Sequence, residues 1–200
     1  SWRASSARPP DGRSPTFFPT DDSTTSLPDG WPAESEQPLV KGRALQAQGV
    51  PLYPTRFERT HRLPEIVAAH GDQTMEALDA LKAPARIAGR VMLKRPHGKA
   101  SFATLSDGEG ELQVYIRQDD VGEAAYRMFD LVDRGDYLGV SGHVMRTRKG
   151  ELSVQAKELH FLSKALLPPP EKWHGLSDVE ARYRQRYVDL MMNPEVRATF

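Results

Sequence analysis

Two short basic clusters, Lys94-Arg95 with Lys99 and Arg146 with Arg148-Lys149, are the residues of this chain best suited to hold an anion. Each gathers fixed positive charge beside a glycine, the composition of a loop that touches a phosphate backbone. Any solvated loop can look the same, so the clusters gain meaning only if the fold brings them together. Between them lie Phe102, whose ring offers a flat face to a nucleobase, and Gln113, whose amide sets a donor beside an acceptor. Further on, Glu158 can accept from a base N–H. Phe102 is flanked by the small residues Ser101 and Ala103, and the pattern alone allows it to face either a ligand or a core.

Other chemistry finds little support. There is no Gly-rich loop of the P-loop kind, no metal-ligand spacing and no nucleophile elbow. The six histidines are scattered; His97 and His143 fall near loop positions, where a lone His is usually a surface residue. With no cysteine, disulfides and thiolate metal sites are excluded, and a reducing compartment fits. The 27 basic and 27 acidic side chains cancel, so a nucleic-acid partner must be argued from local clustering. No apolar run is long enough to span a bilayer. The segment therefore reads as non-enzymatic, with no catalytic, cofactor or metal residue to name.

The scaffold follows from the change of hydrophobic period along the chain. Residues 1–40 are rich in Pro, Ser, Thr and Asp and are expected to form a disordered tail. Arg3, Arg8 and Arg13 among serines resemble a transit peptide only faintly. Residues 41–83 read as a helical extension. A short helix over 41–50 ends at Gly49, and two helices in 63–82 are separated at Gly71, the second running from Gln73 to Lys82. From Ala85 the period becomes two. Strands are predicted over 86–93, 101–105 and 111–116, a helix capped by Asp119-Asp120 reaches Phe129, and strands follow over 137–145 and 152–162. Three strands, a helix and two strands is the order of the five-stranded OB-fold Greek-key barrel, mainly β, here assigned to residues 84–165. An SH3-like barrel has no need of that helix. Gly89, Gly139 and Gly142 inside strands suit sharp barrel coiling. In this fold the loops joining strands one–two and four–five flank the ligand, and both basic clusters fall in them.

Pro168-Pro169-Pro170 reads as a stiff spacer. Beyond it, Ser177 and Glu180 form a capping box for a helix over 178–190, and Pro194 opens another. The chain begins at Ser1 and stops at Phe200 inside what reads as continuing structure, so it is expected to be a fragment.

Several segments carry a resemblance. Arg86-Ile87-Ala88-Gly89-Arg90-Val91-Met92, Gly98-Lys99-Ala100-Ser101-Phe102 and Gly110-Glu111-Leu112-Gln113-Val114-Tyr115 resemble the anticodon-binding domain of bacterial-type lysyl-tRNA synthetases. So do Gly150-Glu151-Leu152-Ser153-Val154, Glu158-Leu159, Lys164-Ala165-Leu166, and Tyr53 to His61. The most specific are Pro168 to Leu176 and Glu180 to Leu190. The likeness covers residues 50–200. It implies a class II lysine–tRNA ligase that uses ATP and Mg²⁺, both bound outside this segment, and that forms a homodimer through its catalytic domain. It also implies tRNA with a lysine anticodon as partner, no membrane, and a cytoplasmic location, with organellar targeting by the tail a lesser possibility. Residues 166–200 would then be the linker and the start of the class II catalytic domain. In this family an aromatic on the second strand stacks on the middle anticodon base and a Gln on the third reads its edge. Phe102 and Gln113 match that pattern, with Arg95 (Lys94 beside it) as the preceding cation and Glu158 as the acid on the last strand. Pro96-His97 in the first loop and the long head depart from many members. The competing reading is a sequence-indifferent single-strand-binding OB protein. Such a protein has no need for Glu180 to Leu190. An aspartyl- or asparaginyl-type relative fits Gly98 to Phe102 and His174-Gly175-Leu176 less well.

Overall fold

Alternation of buried with more exposed residues, unbroken in the second and third strands and interrupted at Val91-Met92 in the first, sets up the sheet. The computed structural model describes residues 30–170 and 179–200. In it β1 (Pro84–His97), β2 (Ala100–Ser106), β3 (Glu111–Arg117), β4 (Tyr137–Arg146) and β5 (Leu152–Ser163) close into a barrel in the order β1-β2-β3-β5-β4, with β1 pairing β4. The five-stranded OB-type barrel is thus the observed fold. All pairs are antiparallel except β3 with β5, which run parallel through Gln113↔Ser153 and Tyr115↔Gln155. Ile87, Val91, Leu105, Val114, Ile116, Leu138, Val140 and Val154 fill the interior. Gly142 sits at a register shift in the β4–β5 pairing, where a Cβ would lie 1.9 Å from the Gln155 carbonyl oxygen, so no other residue fits.

Between β3 and β4 the expected helix is two: α4 (Gln118–Val121) and α5 (Glu123–Asp130). Gly122, at φ 83, turns the chain between them. The second helix plugs the barrel end with Phe129, Met128 and Tyr126. The Tyr126 hydroxyl donates to the Gly98 carbonyl at 2.8 Å and pairs with the Ser101 hydroxyl at 2.9 Å, so the buried phenol is satisfied.

The extension starts earlier than the composition suggests. Residues 33–40, expected in the disordered tail, form a 3-10 turn (Ala33–Ser35) and the first half of α1 (Glu36–Ala47). Leu39 and Leu45 bury themselves against the core, and Pro38 in the first turn sacrifices no helical hydrogen bond. The rest of the tail, residues 1–29, lies outside the described residues. Next come α2 (Leu63–His70) and α3 (Met75–Leu81), separated after His70 as expected. Asp107 fastens the start of α2 to the β2–β3 turn. Its carboxylate accepts from the backbone N–H of Leu63 (2.9 Å), Glu109 (3.1 Å) and Gly110 (3.0 Å). Burial pushes its pKa up, but these bonds outweigh that and hold it below the usual carboxylate range.

The single helix expected over 178–190 is broken at Gln185 into α6 (Val179–Arg184) and α7 (Arg186–Met192), and α8 (Pro194–Thr199) begins at its proline. Buried Asp189 holds the bend by accepting from Arg182 Nε (2.9 Å), from Arg186, and from Asn193 Nδ2 (2.6 Å). The expected Ser177 cap falls outside the described residues.

Candidate nucleic-acid interface

Register decides which side chains share the outer face of the barrel. On β2, Ser101 and Ala103 point inward and are buried, so Phe102 points outward and is half-buried. Its cross-strand partner on β3 is Tyr115, and the rings stack with centroids 4.9 Å apart and 26° between planes. Arg95 of β1 stands on the other side of Phe102, and Gln155 of β5 beyond Tyr115. This makes one row across four strands: Arg95, Phe102, Tyr115, Gln155. The next row is Leu93, Thr104, Gln113, Ser153.

Gln113 is oriented by its neighbour. The buried Ser153 hydroxyl donates to Gln113 Oε1 at 3.0 Å, which turns the amide NH₂ outward with no hydrogen bond among the described residues. The carbonyl oxygen keeps a second lone pair. A cleft of about 510 Å³ opens beside this amide, lined by Arg95, Thr104, Gln113, Glu111, Leu112, Glu151 and Leu152, with Val67 and Gly71 of the α2 end as the opposite wall.

The basic residues divide into two kinds. Arg95, Lys99, Arg148 and Lys149 are exposed and make no side-chain hydrogen bond or ion pair among the described residues. Lys94 and Arg146 are spent on the fold. Lys94 Nζ donates to the carbonyls of Phe129 (2.8 Å), Asp130 (2.9 Å) and Val132 (3.0 Å), and it lies 4.7 Å over the Phe129 ring. It caps the end of α5, and burial lowers its pKa. Arg146 donates from Nε to Gln73 O (3.0 Å), from Nη2 to Gly71 O (2.6 Å) and from Nη1 to Gly150 O (2.6 Å). It pins the α2–α3 connection against the β4–β5 turn and so sets the cleft wall.

Glu158 does not join this group. It lies five residues beyond Ser153, roughly 16 Å along the strand at ~3.3 Å per residue. There it pairs with Ser141 of β4 and stands 3.4 Å from His160 Nε2. The acids that line the cleft are Glu111, at the start of β3, and Glu151, in the turn before β5. For Glu151, its place in the Lys149-Gly150-Glu151 turn was the available signal, since that loop flanks the ligand face. Tyr115 was equally within reach, being two residues after Gln113 in a period-two strand. Ser153 had no sequence signal, because only the parallel β3–β5 register places it behind Gln113. His97 is exposed at the end of β1. His143 is half-buried on β4, and burial lowers its pKa.

A larger cleft, about 840 Å³, lies near Phe57, Arg86 and His160. Size does not make it the better site for RNA. Of its cations, Arg56 pairs with Glu58, Arg127 with Glu123, and Arg86 lies over Phe57. Among the described residues no His/Cys/Asp/Glu group is arranged to hold a metal, and no helix is long and apolar enough to cross a membrane.

An outer strand face with stacked aromatics, an oriented amide and free cations at its rim is the arrangement of an OB-fold that binds nucleic acid. Residues 85–162 match the family described as "OB-fold nucleic acid binding domain", under the name tRNA_anti-codon. The chain is 50% identical over 162 residues to a lysine–tRNA ligase of Carboxydothermus hydrogenoformans, covering 81% of this chain and 32% of that protein. It is 49% identical over 160 residues to the ligase of Bacillus subtilis (80% and 32%) and 53% identical over 169 residues to that of Lysinibacillus sphaericus (83% and 34%). Residues 85–162 are thus an OB-fold nucleic acid binding domain of the anticodon-binding kind, and across about four fifths of its length the chain is similar to lysine–tRNA ligases. It spans about a third of the length of the curated relatives it matches.

Proposed function

We propose that this chain is the tRNA-anticodon-reading portion of a lysine–tRNA ligase. The complete protein would join lysine to its tRNA with ATP and Mg²⁺ bound outside this portion, as a cytoplasmic homodimer. The observation that carries the reading is Gln113, fixed by Ser153 beside the Phe102–Tyr115 stack and the Arg95 guanidinium.

In this reading a uracil base lies on Phe102. The outward NH₂ of Gln113 donates to a uracil carbonyl, and the free lone pair of its oxygen accepts from the uracil imino N–H. Cytosine reverses both polarities and leaves the amide facing a donor with a donor. Glu151 accepts from an N–H of a neighbouring base, a role first expected of Glu158. The phosphates lie along Arg95, Lys99, Arg148 and Lys149. Lys94 takes no part in gripping them, since its three donors are all engaged, and Arg146 is committed to the fold by three bonds to backbone carbonyls. Nothing in the site holds a nucleophile or an acid–base pair, so this portion alone is expected to bind without aminoacylating.

The test is a titration of wild type, Gln113→Ala and Phe102→Ala against a lysine-type anticodon stem-loop and its cytidine-substituted counterpart. Gln113→Ala should reduce the uridine preference by ~1–2 kcal/mol, the scale of one mismatched buried polar group. Phe102→Ala should weaken both loops, because stacking is worth ~1–3 kcal/mol whatever the base. An unchanged preference in Gln113→Ala would overturn the role given to Gln113, and a wild type that binds both loops equally would favour the sequence-indifferent binder instead.

A further inference from the structure

Where the chain leaves β5, the fold invests heavily in holding it. Lys164, the first residue after the strand, has a fully buried side chain whose ammonium lies 2.8 Å from Asp133 Oδ2 and 2.8 Å from Asp136 Oδ2. The other Asp136 oxygen accepts from the Ala165 backbone N–H at 2.7 Å. The Lys164 carbonyl accepts from the Tyr53 hydroxyl at 3.1 Å. Lys41 of α1 pairs with Asp133 from the other side. Two residues of the same α5–β4 loop then reach further down the exit: Arg134 donates to the Pro169 carbonyl, and Gly135 packs under it. A Cβ on Gly135 would lie 2.8 Å from Pro169 Cδ and 3.1 Å from Ala165 Cβ, at a φ of 100 that only glycine adopts readily.

A buried ion cluster is an inefficient way to gain stability, because desolvation cancels most of the attraction and well-packed apolar groups of the same volume do as well. What charges with directional partners supply is one geometry. This cluster fastens residues 164–169 to the barrel, at the opposite end of β5 from Ser153 and Glu151, roughly 35 Å away at ~3.3 Å per residue.

We infer that Lys164, Asp133, Asp136, Arg134 and Gly135 form a buckle that fixes the path of the chain out of the barrel and are positioning residues for aminoacylation. They hold the anticodon-reading face at a set orientation to the part of the protein that works on the other end of the tRNA. This rests on the function proposed above. A tRNA is a stiff object gripped at two distant points, so a small rotation at the exit becomes a displacement of the acceptor end. Misplacement by about 1 Å is enough to cost as much as a hundredfold in rate.

The experiment uses the full-length protein with Arg134→Ala, Gly135→Ala and Lys164→Met. Three activities are measured: affinity for the isolated anticodon stem-loop, lysine-dependent ATP–pyrophosphate exchange, and lysylation of intact tRNA. Hydrogen exchange at the Ala165 amide is followed in parallel. Arg134→Ala and Gly135→Ala should leave the first two within about twofold and lower kcat/KM for lysylation by about tenfold or more, the signature of lost geometry rather than lost contact. Ala165 exchange should quicken while that of Val140 and Val154 does not. If Lys164→Met fails to fold, the two milder variants still decide. Normal lysylation in both, or parallel loss of stem-loop binding and lysylation, would overturn the inference. Wild-type protein that cannot bind the stem-loop would overturn the tRNA reading itself. Ala165 exchange then reports separately on the buckle, and unchanged exchange in all three variants overturns that as well.

Discussion

Lys94 and Arg95 are adjacent in sequence and alike in charge, yet they should respond oppositely to mutation. Lys94→Met removes the donor from three carbonyls at the end of α5 and a cation from the Phe129 face. Hydrogen bonds to a charged group are worth about 1.5–3 kcal/mol, a favourable helix end ~0.3–1, and a cation–π contact ~0.5–2. These do not simply add, because burial lowers the Lys94 pKa, so the site disfavours the charge relative to water and methionine recovers that penalty. A net loss of ~1–2 kcal/mol remains, mostly the carbonyls left without a donor. In urea unfolding this moves the midpoint down by about 0.5–1 M for a slope of about 2 kcal/mol per molar. Affinity for the stem-loop, corrected for the folded fraction, should not change. Arg95→Ala should do the reverse, with unaltered stability and affinity about tenfold lower, the cost of one charge-assisted contact. Paired urea titration and fluorescence anisotropy decide the matter. A Lys94→Met protein of wild-type stability that binds RNA weakly would refute this division of the basic cluster.

Other expectations follow from the same geometry. Four phosphate-gripping cations predict a log–log salt slope of about −3, at about −0.7 per contact on a single strand; a slope near zero in anisotropy titrations would remove the electrostatic track. The doubly reversed Arg148→Glu, Lys149→Glu variant should weaken uridine and cytidine loops equally, since phosphate contacts carry no base identity; a changed preference would say that these residues touch bases. Asp107 has a folded pKa below its unfolded value, so its contribution to stability is present above the unfolded carboxylate pKa, about 3.9, and is lost as pH falls through the folded pKa. Asp107→Asn should therefore lower stability at neutral pH and narrow its gap to wild type under acid, as followed by urea midpoints across pH; a constant gap would assign the effect to packing.

The barrel was legible because its strands are: Glu111 to Ile116 alternates without a fault, and the helix between the third and fourth strands singles out the topology. The ambiguity at Phe102 was a real one, since small neighbours suit either face, and it resolves only when Tyr115 is seen across the strand pair. The fate of Lys94 and Arg146 was not legible at all. Charge is a local property, but the carbonyls that consume it belong to helix ends and loops far away in sequence. Glu158 was misplaced against the cleft for a metric reason: distance along β5 from Ser153 sets what reaches Gln113, and register appears only in the closed sheet. Boundaries slipped where one residue overrides a pattern, as Gly122 divides the expected helix and Gln185 the later one.

The parallel pairing of β3 with β5 bears on how the protein is made. Gln113 and the hydroxyl that orients it are separated by 40 residues, joined only by the last strand to leave the ribosome in this barrel. Such long-range parallel contacts form late, after loop closure has been compensated by other pairings. A chain emerging as far as β4 already displays Phe102 and Tyr115, but its amide is free to turn either way. On the proposed reading, orientation of the Gln113 amide is therefore expected only once β5 has paired with β3 and closed the barrel.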